Sequence, residues 1–286
     1  MNNRRPRWLG LILLLGLVIG LWLVIFSLDF SPKLKVAFLD VGQGDAILIE
    51  GPNGNQILID GGSGRQVLRA LGRELPFYDR TINLVIATHP DADHIGGLPF
   101  VFDRYRVLGI MDNGQTETAE DFVWFDKGAK KETPTRLKAR GGQTVDLGNG
   151  AKLEILFPLR DMTGLETNRA SIIVRLVYGA NEFLLTGDAP QEIETYLVEK
   201  YGPQLQSDVL KLGHHGSRTS SGQNFLSTIK PQYAVISAGR DNRYGHPHQE
   251  VLVRLKEMNI FTTNTAKQGT IEFISDGKTL ECRRCQ

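Results

Sequence analysis

A layered α/β sandwich is the fold class predicted by this 286-residue sequence. Short apolar runs bounded by glycine-rich turns come first, a helix follows, and strand and helix patterns then recur. The composition is that of an ordinary globular chain, 41% hydrophobic and 23% charged. A coiled coil, a collagen and a wholly disordered protein are thereby excluded.

The elements follow in order. Runs at 35–39 and 46–50, separated by VGQGD, and a run at 56–59, closed by Gly61 and Gly62, read as a meander of strands. A short helix is predicted at 68–75, a buried strand at 82–87 and a second helix from near Gly96. Between 103 and 150 the pattern is weaker, with a strand near 107–111, a charged helix or loop around 119–131, and a hairpin closing at Asn149 and Gly150. Strands return at 152–157, 171–178 and 182–186, then a helix at 191–201 and strands at 208–211 and 233–237. A helix at 249–258 and a strand pair turning about Asp276 and Gly277 complete the unit, which runs from 33 to 286 without a long linker, internal repeat or low-complexity segment.

Net charge is only +1, and residues 1–32 carry +2 of it, leaving −1 on the rest. The main body is no polycation, so any contact with nucleic acid must come through a local patch or through metal ions. The stretch 8–26 holds 19 residues without a charge, long enough for one helix to cross a hydrocarbon core of about 30 Å. The run exceeds a signal-peptide core, and the SLDFSPK that follows has no A-x-A-like cleavage site. The expectation is an uncleaved single-pass anchor at 8–27, a short basic cytoplasmic tail at 1–7, and a hydrolytic domain on the outer side of the cell membrane. Cys282 and Cys285 are the only cysteines, either two thiols or one small disulfide, and no further ligands lie near them for a four-coordinate zinc site.

All six histidines fall into three clusters: His89 and His94, His214 and His215, His246 and His248. Each cluster lies just past the carboxyl end of a predicted strand, where loops gather into sites in layered α/β folds. In THPDADHIGG at 88–97, His89 and Asp91 point the same way in an extended turn, while Asp93 and His94 stand at a helix entry. A cap for Asp93 and an Asx-turn for Asp91 are the bland alternatives, but two histidines interleaved with two aspartates make a ligand set.

These residues resemble the metallo-β-lactamase superfamily, whose signature loop is His-x-His-x-Asp-His. Asp91 stands where the second histidine is usual. That departure, with LDVGQGDAILI at 39–49, is similar to the hydrolase domain of ComEC-type DNA-uptake proteins. The resemblance covers about 34–276 and includes Asp60-Gly61-Gly62, the TNRAS stretch at 167–171, LLTGDA at 184–189, LGHHGS at 212–217 and YGHPH at 244–248. It implies a four-layer αββα sandwich, here preceded by one transmembrane helix, and two divalent ions. Asp188 would bridge them. His89, Asp91 and Asn168 would complete one ion, with Asn168 where histidine is usual; Asp93, His94 and one of His214 and His215 would complete the other, His214 being preferred because it directly follows the strand and Gly213. Asp60 would orient the loop from behind.

So many oxygen ligands soften the preference for zinc and admit manganese or magnesium. Asp93 and His246 are the candidate catalytic groups, His246 beside a helix start where it could hold or protonate a leaving phosphate. Ser171, Lys211, Ser217 and Arg243 are candidate substrate contacts, and Lys211, Arg218, Arg240 and Arg243 form a basic rim. The expected function is a membrane-anchored phosphodiesterase acting on DNA, with a separate channel partner if it serves uptake. Hydrolysis of a small ester, lactone or β-lactam, and DNA binding with purely structural metals, are the alternatives.

Overall fold

The computed structural model describes residues 5–27, 32–132, 135–240 and 242–285, with the side chains of the first helix described over 8–23. Two compact units result, Met1–Pro32 and Lys33–Gln286.

The first unit contains helix α1 (Arg5–Ser27), whose large apolar side chains over 8–23 are exposed. Among the described residues no helix is long and apolar enough to cross a membrane. This overturns the expected transmembrane helix at 8–27, and with it the membrane partner, the single-pass localisation and the membrane-anchored form of the function. The basic tail at 1–7 lies outside the described side chains.

In the second unit, alternation sends successive residues to different cores. Strand β1 (Leu34–Phe38) gives Val36 and Phe38 to one core and Ala37 to another. Strands β2 (Ile47–Glu50) and β3 (Gln56–Ile59) repeat this, with Ile47, Ile49, Ile57 and Ile59 on the inner face and Leu48 and Leu58 on the outer. Because both faces are covered, these strands read as unbroken apolar runs rather than alternating ones.

Helix α2 (Gln66–Glu74) leads to β4 (Thr81–Ile82) and β5 (Leu84–Ala87), then α3 (Ala92–Ile95), α4 (Leu98–Arg104), β6 (Arg106–Val107), β7 (Ile110–Asp112), α5 (Glu120–Glu132) and β8 (Arg136–Lys138). The expected strand at 82–87 is thus two. Asn83 bends the chain by donating its N–H to Gln56 O at 3.0 Å and accepting from Gln56 N at 2.8 Å, so β4 leaves to pair with β6. The helix expected from near Gly96 is α4, which starts at Leu98 after Gly97, and the short α3 precedes it and ends at Gly96.

Strands β9 (Thr144–Gly148) and β10 (Ala151–Phe157) form the hairpin, followed by β11 (Ile173–Tyr178), β12 (Asn181–Leu185), α6 (Gln191–Tyr201), β13 (Val209–Lys211), α7 (Gln223–Ile229), β14 (Tyr233–Ile236), α8 (Gln249–Glu257), β15 (Phe261–Asn264), α9 (Thr265–Gln268), β16 (Ile271–Ser275) and β17 (Leu280–Arg283). One sheet runs β17-β16-β1-β2-β3-β5-β7-β8 and the other β15-β14-β13-β12-β11-β10-β9. Val36, Phe38, Leu176, Phe183, Val209 and Phe273 fill the space between them. Val67, Leu71, Leu98 and Phe102 pack helices on the first sheet, and Leu197, Leu226, Val251 and Leu255 pack helices on the second. The αββα sandwich is the architecture.

Where β1 and β16 meet, Glu74 collects cations: Lys35 Nζ lies 3.2 Å away and Arg284 Nη1 3.0 Å. Arg284 stands between Cys282 and Cys285, which form a disulfide. Burial opposes ionisation of Glu74, but Arg284 and Lys35 outweigh it and hold the carboxyl below its ordinary value. Its stabilisation is therefore complete above the unfolded value near 4.5 and is lost as pH falls through the folded one. Glu74→Gln is expected to cost about 2 kcal/mol at neutral pH. In denaturant titrations the gap from wild type should close on acidification; a pH-independent gap would contradict the ion pairing.

Candidate metal centre

Five loops converge at the carboxyl ends of strands. The loop after β1 carries Asp45, the turn after β3 carries Asp60, the loop after β5 carries His89 to His94, that after β12 carries Asp188, and that after β13 carries His214 and His215. Close approach requires glycine at one point. A Cβ on Gly44, whose φ is +113°, would lie 1.9 Å from Asp93 O, and the neighbouring Asp45 N–H donates to that same oxygen at 3.2 Å. Asp60, His214 and His215 have φ of 59°, 48° and 54°, a left-handed conformation that side chains rarely adopt and that clusters at functional sites.

Asp45, His94, Asp188 and His215 are buried, and each offers a ligand atom within 4.8 Å of the others. Asp188 reaches both histidines, Oδ1 lying 3.3 Å from His94 Nε2 and Oδ2 3.4 Å from His215 Nε2. Behind His94, Asp60 Oδ2 lies 2.7 Å from Nδ1, and Asp60 is itself fixed by the Thr88 N–H at 2.8 Å and hydroxyl at 2.6 Å. That pairing turns Nε2 of His94 into the cluster. His215 Nε2 also lies 3.1 Å from Asp93 Oδ2.

Charge explains the balance. Burial opposes ionisation of Asp45, yet Lys211 and then His215 hold it below the ordinary carboxylate range; against the same penalty, His215, His94 and Lys211 hold Asp188 well below it. Burial likewise opposes protonation of the histidines, but Asp188 and Asp60 raise His94 well above its ordinary value, and Asp188 with Asp45 raises His215 to about 9. The buried anions thus demand positive charge. Asp45 Oδ1, Asp188 Oδ1, His94 Nε2 and His215 Nδ1 are buried without hydrogen-bond partners, as are His89 Nε2 and Asn168 Oδ1. Unsatisfied buried donors and acceptors are costly, and a divalent cation among carboxylates and neutral imidazoles satisfies both requirements. Two Asp and two His make a metal-binding cluster.

The other expected residues are placed as follows. His89 is buried, with Nδ1 3.0 Å from Thr88 Oγ1 and Nε2 3.7 Å from Asp91 Oδ2; burial and then His94 push it down to about 3. His214, preferred from sequence, is partly exposed, 3.8 Å from Asp188 Oδ2, while the four-residue cluster contains His215. Both residues turn through the left-handed region, and their ring centroids lie 6.1 Å apart. Ser171 is buried, its Oγ lying 3.4 Å from His89 Nδ1 and accepting from the Asp188 N–H at 3.2 Å. Ser217 is also buried.

Lys211, expected on the exposed rim, is fully buried; its ammonium pairs with Asp45 and donates to Gly187 O at 2.9 Å. Arg218, Arg240 and Arg243 are exposed. His246 packs 5.3 Å from the His214 ring and stacks 5.7 Å from Tyr244. Burial, then His214 and His215, push it down to about 4, so it is neutral at pH 7. His248 is turned aside, accepting from Arg218 N–H at 3.2 Å. Asp45 was missed as a ligand; its signal was a carboxylate at the entrance of a strand that is otherwise apolar.

Residues 39–240 match the metallo-beta-lactamase superfamily. The chain belongs to that superfamily. Among curated members similar to it are ComE operon protein 3 of Bacillus subtilis (strain 168), 30% identical over 87% of this chain and 34% of that protein, and competence protein ComA of Neisseria gonorrhoeae, 30% identical over 92% and 37%. Recombination protein 2 of Haemophilus influenzae is 31% identical over 87% of this chain and 30% of its own length. The chain spans about a third of the length of these relatives. The solved structure of Tm1679, a metal-dependent hydrolase of the beta-lactamase superfamily, aligns over 81% of this chain and 95% of its own with TM-score 0.51 and 12% identity, which supports the metallo-beta-lactamase fold.

Proposed function

We propose that this chain is a divalent-metal-dependent hydrolase of phosphodiesters, with DNA as its substrate. The buried Asp45, His94, Asp188 and His215 cluster carries the reading, and the likeness to competence proteins supports the substrate class. Two ions are proposed: the second would be held by His89, Asp91 and the unpartnered Asn168 oxygen, and Asp188 would contribute to both. Manganese and magnesium suit the oxygen-rich set as well as zinc does.

Bound ions supply Lewis acidity toward a phosphoryl oxygen and acidify a water. The protein supplies the rest. Asp60 fixes His94, Lys211 fixes Asp45, and Asp93, held below its ordinary range by His215 and His94 against burial, orients the attacking water as an anion. His246, neutral at pH 7, donates an N–H to the departing oxygen rather than protonating it as an imidazolium. Hydrolysis of a small ester is the second reading, favoured by the cleft of ≈ 370 Å³ beside Asp93 and Tyr244, a size that holds one small molecule.

Incubating the protein with labelled single- and double-stranded DNA and with ester, lactone and β-lactam substrates, across manganese, magnesium and zinc, separates the readings. Metal-dependent cleavage of DNA is expected, and chelation should abolish it. Cleavage of a small ester alone would favour the second reading, and DNA binding without cleavage under any metal would leave a binding module.

His246→Ala is expected to retain metal while turnover on DNA falls roughly 100-fold. The loss should shrink for a nitrophenyl phosphodiester, whose leaving group needs no donor. An equal loss on both substrates would remove His246 from the leaving-group role.

A further inference from the structure

Beyond the metal centre, Arg243, Tyr244 and His246 form a continuous stack, with the guanidinium 5.0 Å over the Tyr244 ring and that ring stacked on His246. Members of this stack line two clefts. The first, lined by Asp93, Asn242, Arg243 and Tyr244, is ≈ 370 Å³. The second, ≈ 480 Å³, is lined by Arg240, His246, Pro247, Asn264 and Lys267. Among the described residues, Arg240 and Lys267 are the charged ones on its wall, and both are exposed. Arg240 donates from Nε to Ala266 O at 2.6 Å, which fixes its guanidinium at the cleft.

The domain body carries a net −1, so two cations beside one cleft are a local feature rather than a general bias. Each cleft suits a unit the size of one nucleotide, and the stack links them, Tyr244 lining the first and His246, the proposed leaving-group donor, lining the second. We infer that the Arg240 and Lys267 cleft is a subsite for the phosphate next to the scissile one, so that the enzyme holds one polynucleotide strand across this stack. This rests on the phosphodiesterase reading and narrows it: a small ester fills the first cleft, whereas a strand engages both. The cations supply charge and Arg240 the planar fork that matches a phosphate.

The test uses the metal-loaded protein and an Arg240→Ala/Lys267→Ala variant, with Lys267→Arg as the conservative control. Binding of a fluorescent phosphorothioate oligothymidylate is read by anisotropy across salt, and kcat/KM is read on a cleavable oligothymidylate and on bis(nitrophenyl) phosphate. Affinity should fall about 10-fold, and the slope of log K against log salt should drop by about 0.7, the value for one phosphate on a single strand. The loss in kcat/KM should be about ten times greater on the oligonucleotide than on the small diester, and Lys267→Arg should restore most of it. Unchanged affinity and salt slope would overturn the subsite. Should the oligonucleotide bind through these cations yet stay uncut while the small diester is hydrolysed, the subsite stands and the nuclease reading falls.

Discussion

Asp188→Ala is expected to abolish turnover and to lower bound metal together, with the fold retained. Asp188 is the one carboxylate that lies within 3.4 Å of both His94 and His215, one oxygen toward each. Its removal takes away the anion that holds cations in the cluster, and several kcal/mol of transition-state stabilisation go with them, roughly a thousand-fold or more in rate. Metal content by plasma mass spectrometry, turnover on labelled DNA and circular dichroism check the three parts. A folded variant with wild-type metal and activity would remove Asp188 from the centre. Asp188→Asn, which keeps the shape and loses the charge, should resemble the alanine variant.

Lys211→Met should be the most destabilising single change at the site. Its ammonium is fully buried, pairs with Asp45 and lies 3.5 Å from Asp188. Breaking a buried pair strands the partner charge, at about 3–5 kcal/mol. Denaturant unfolding of the metal-free protein measures this. The double variant Lys211→Met/Asp45→Asn removes the stranded charge as well and should recover part of the loss. Additive losses in the double variant would mean that the two side chains do not act as a pair.

Both expectations depend on how sequence and structure divide the information. The strands were legible because burial on two faces leaves continuous apolar runs such as 46–49 and 84–87, and glycine pairs mark some of their ends. The interruption at Asn83 was not legible, because it is made by a side chain bonding to Gln56, a residue far away in sequence. At the site, clustered histidines past strand ends pointed to the loops. Asp45 and Lys211 escaped that reading for one reason. A buried ion pair lets each residue sit inside an apolar surrounding, and its members look like a turn residue and a surface cation until they are seen together. That His215 stands in the four-residue cluster and His214 beside it goes with a left-handed backbone at both, which spacing along the chain does not reveal.

The pairing of β1 with β16 sets a time as well as a place for the chemistry. Leu34 faces Ser275 and Phe38 faces Ile271, so the first sheet closes only after nearly the whole domain has been made. Closing so long a loop carries an entropic cost that grows slowly with length, but contacts this distant in sequence slow folding strongly. A nascent chain leaving the ribosome would carry His89 and His94 long before Asp188, Lys211 and His215 emerge. Until then His94 stands without the Asp188 and His215 that complete the cluster. The cluster is therefore assembled late in synthesis, after the second half of the domain has been made.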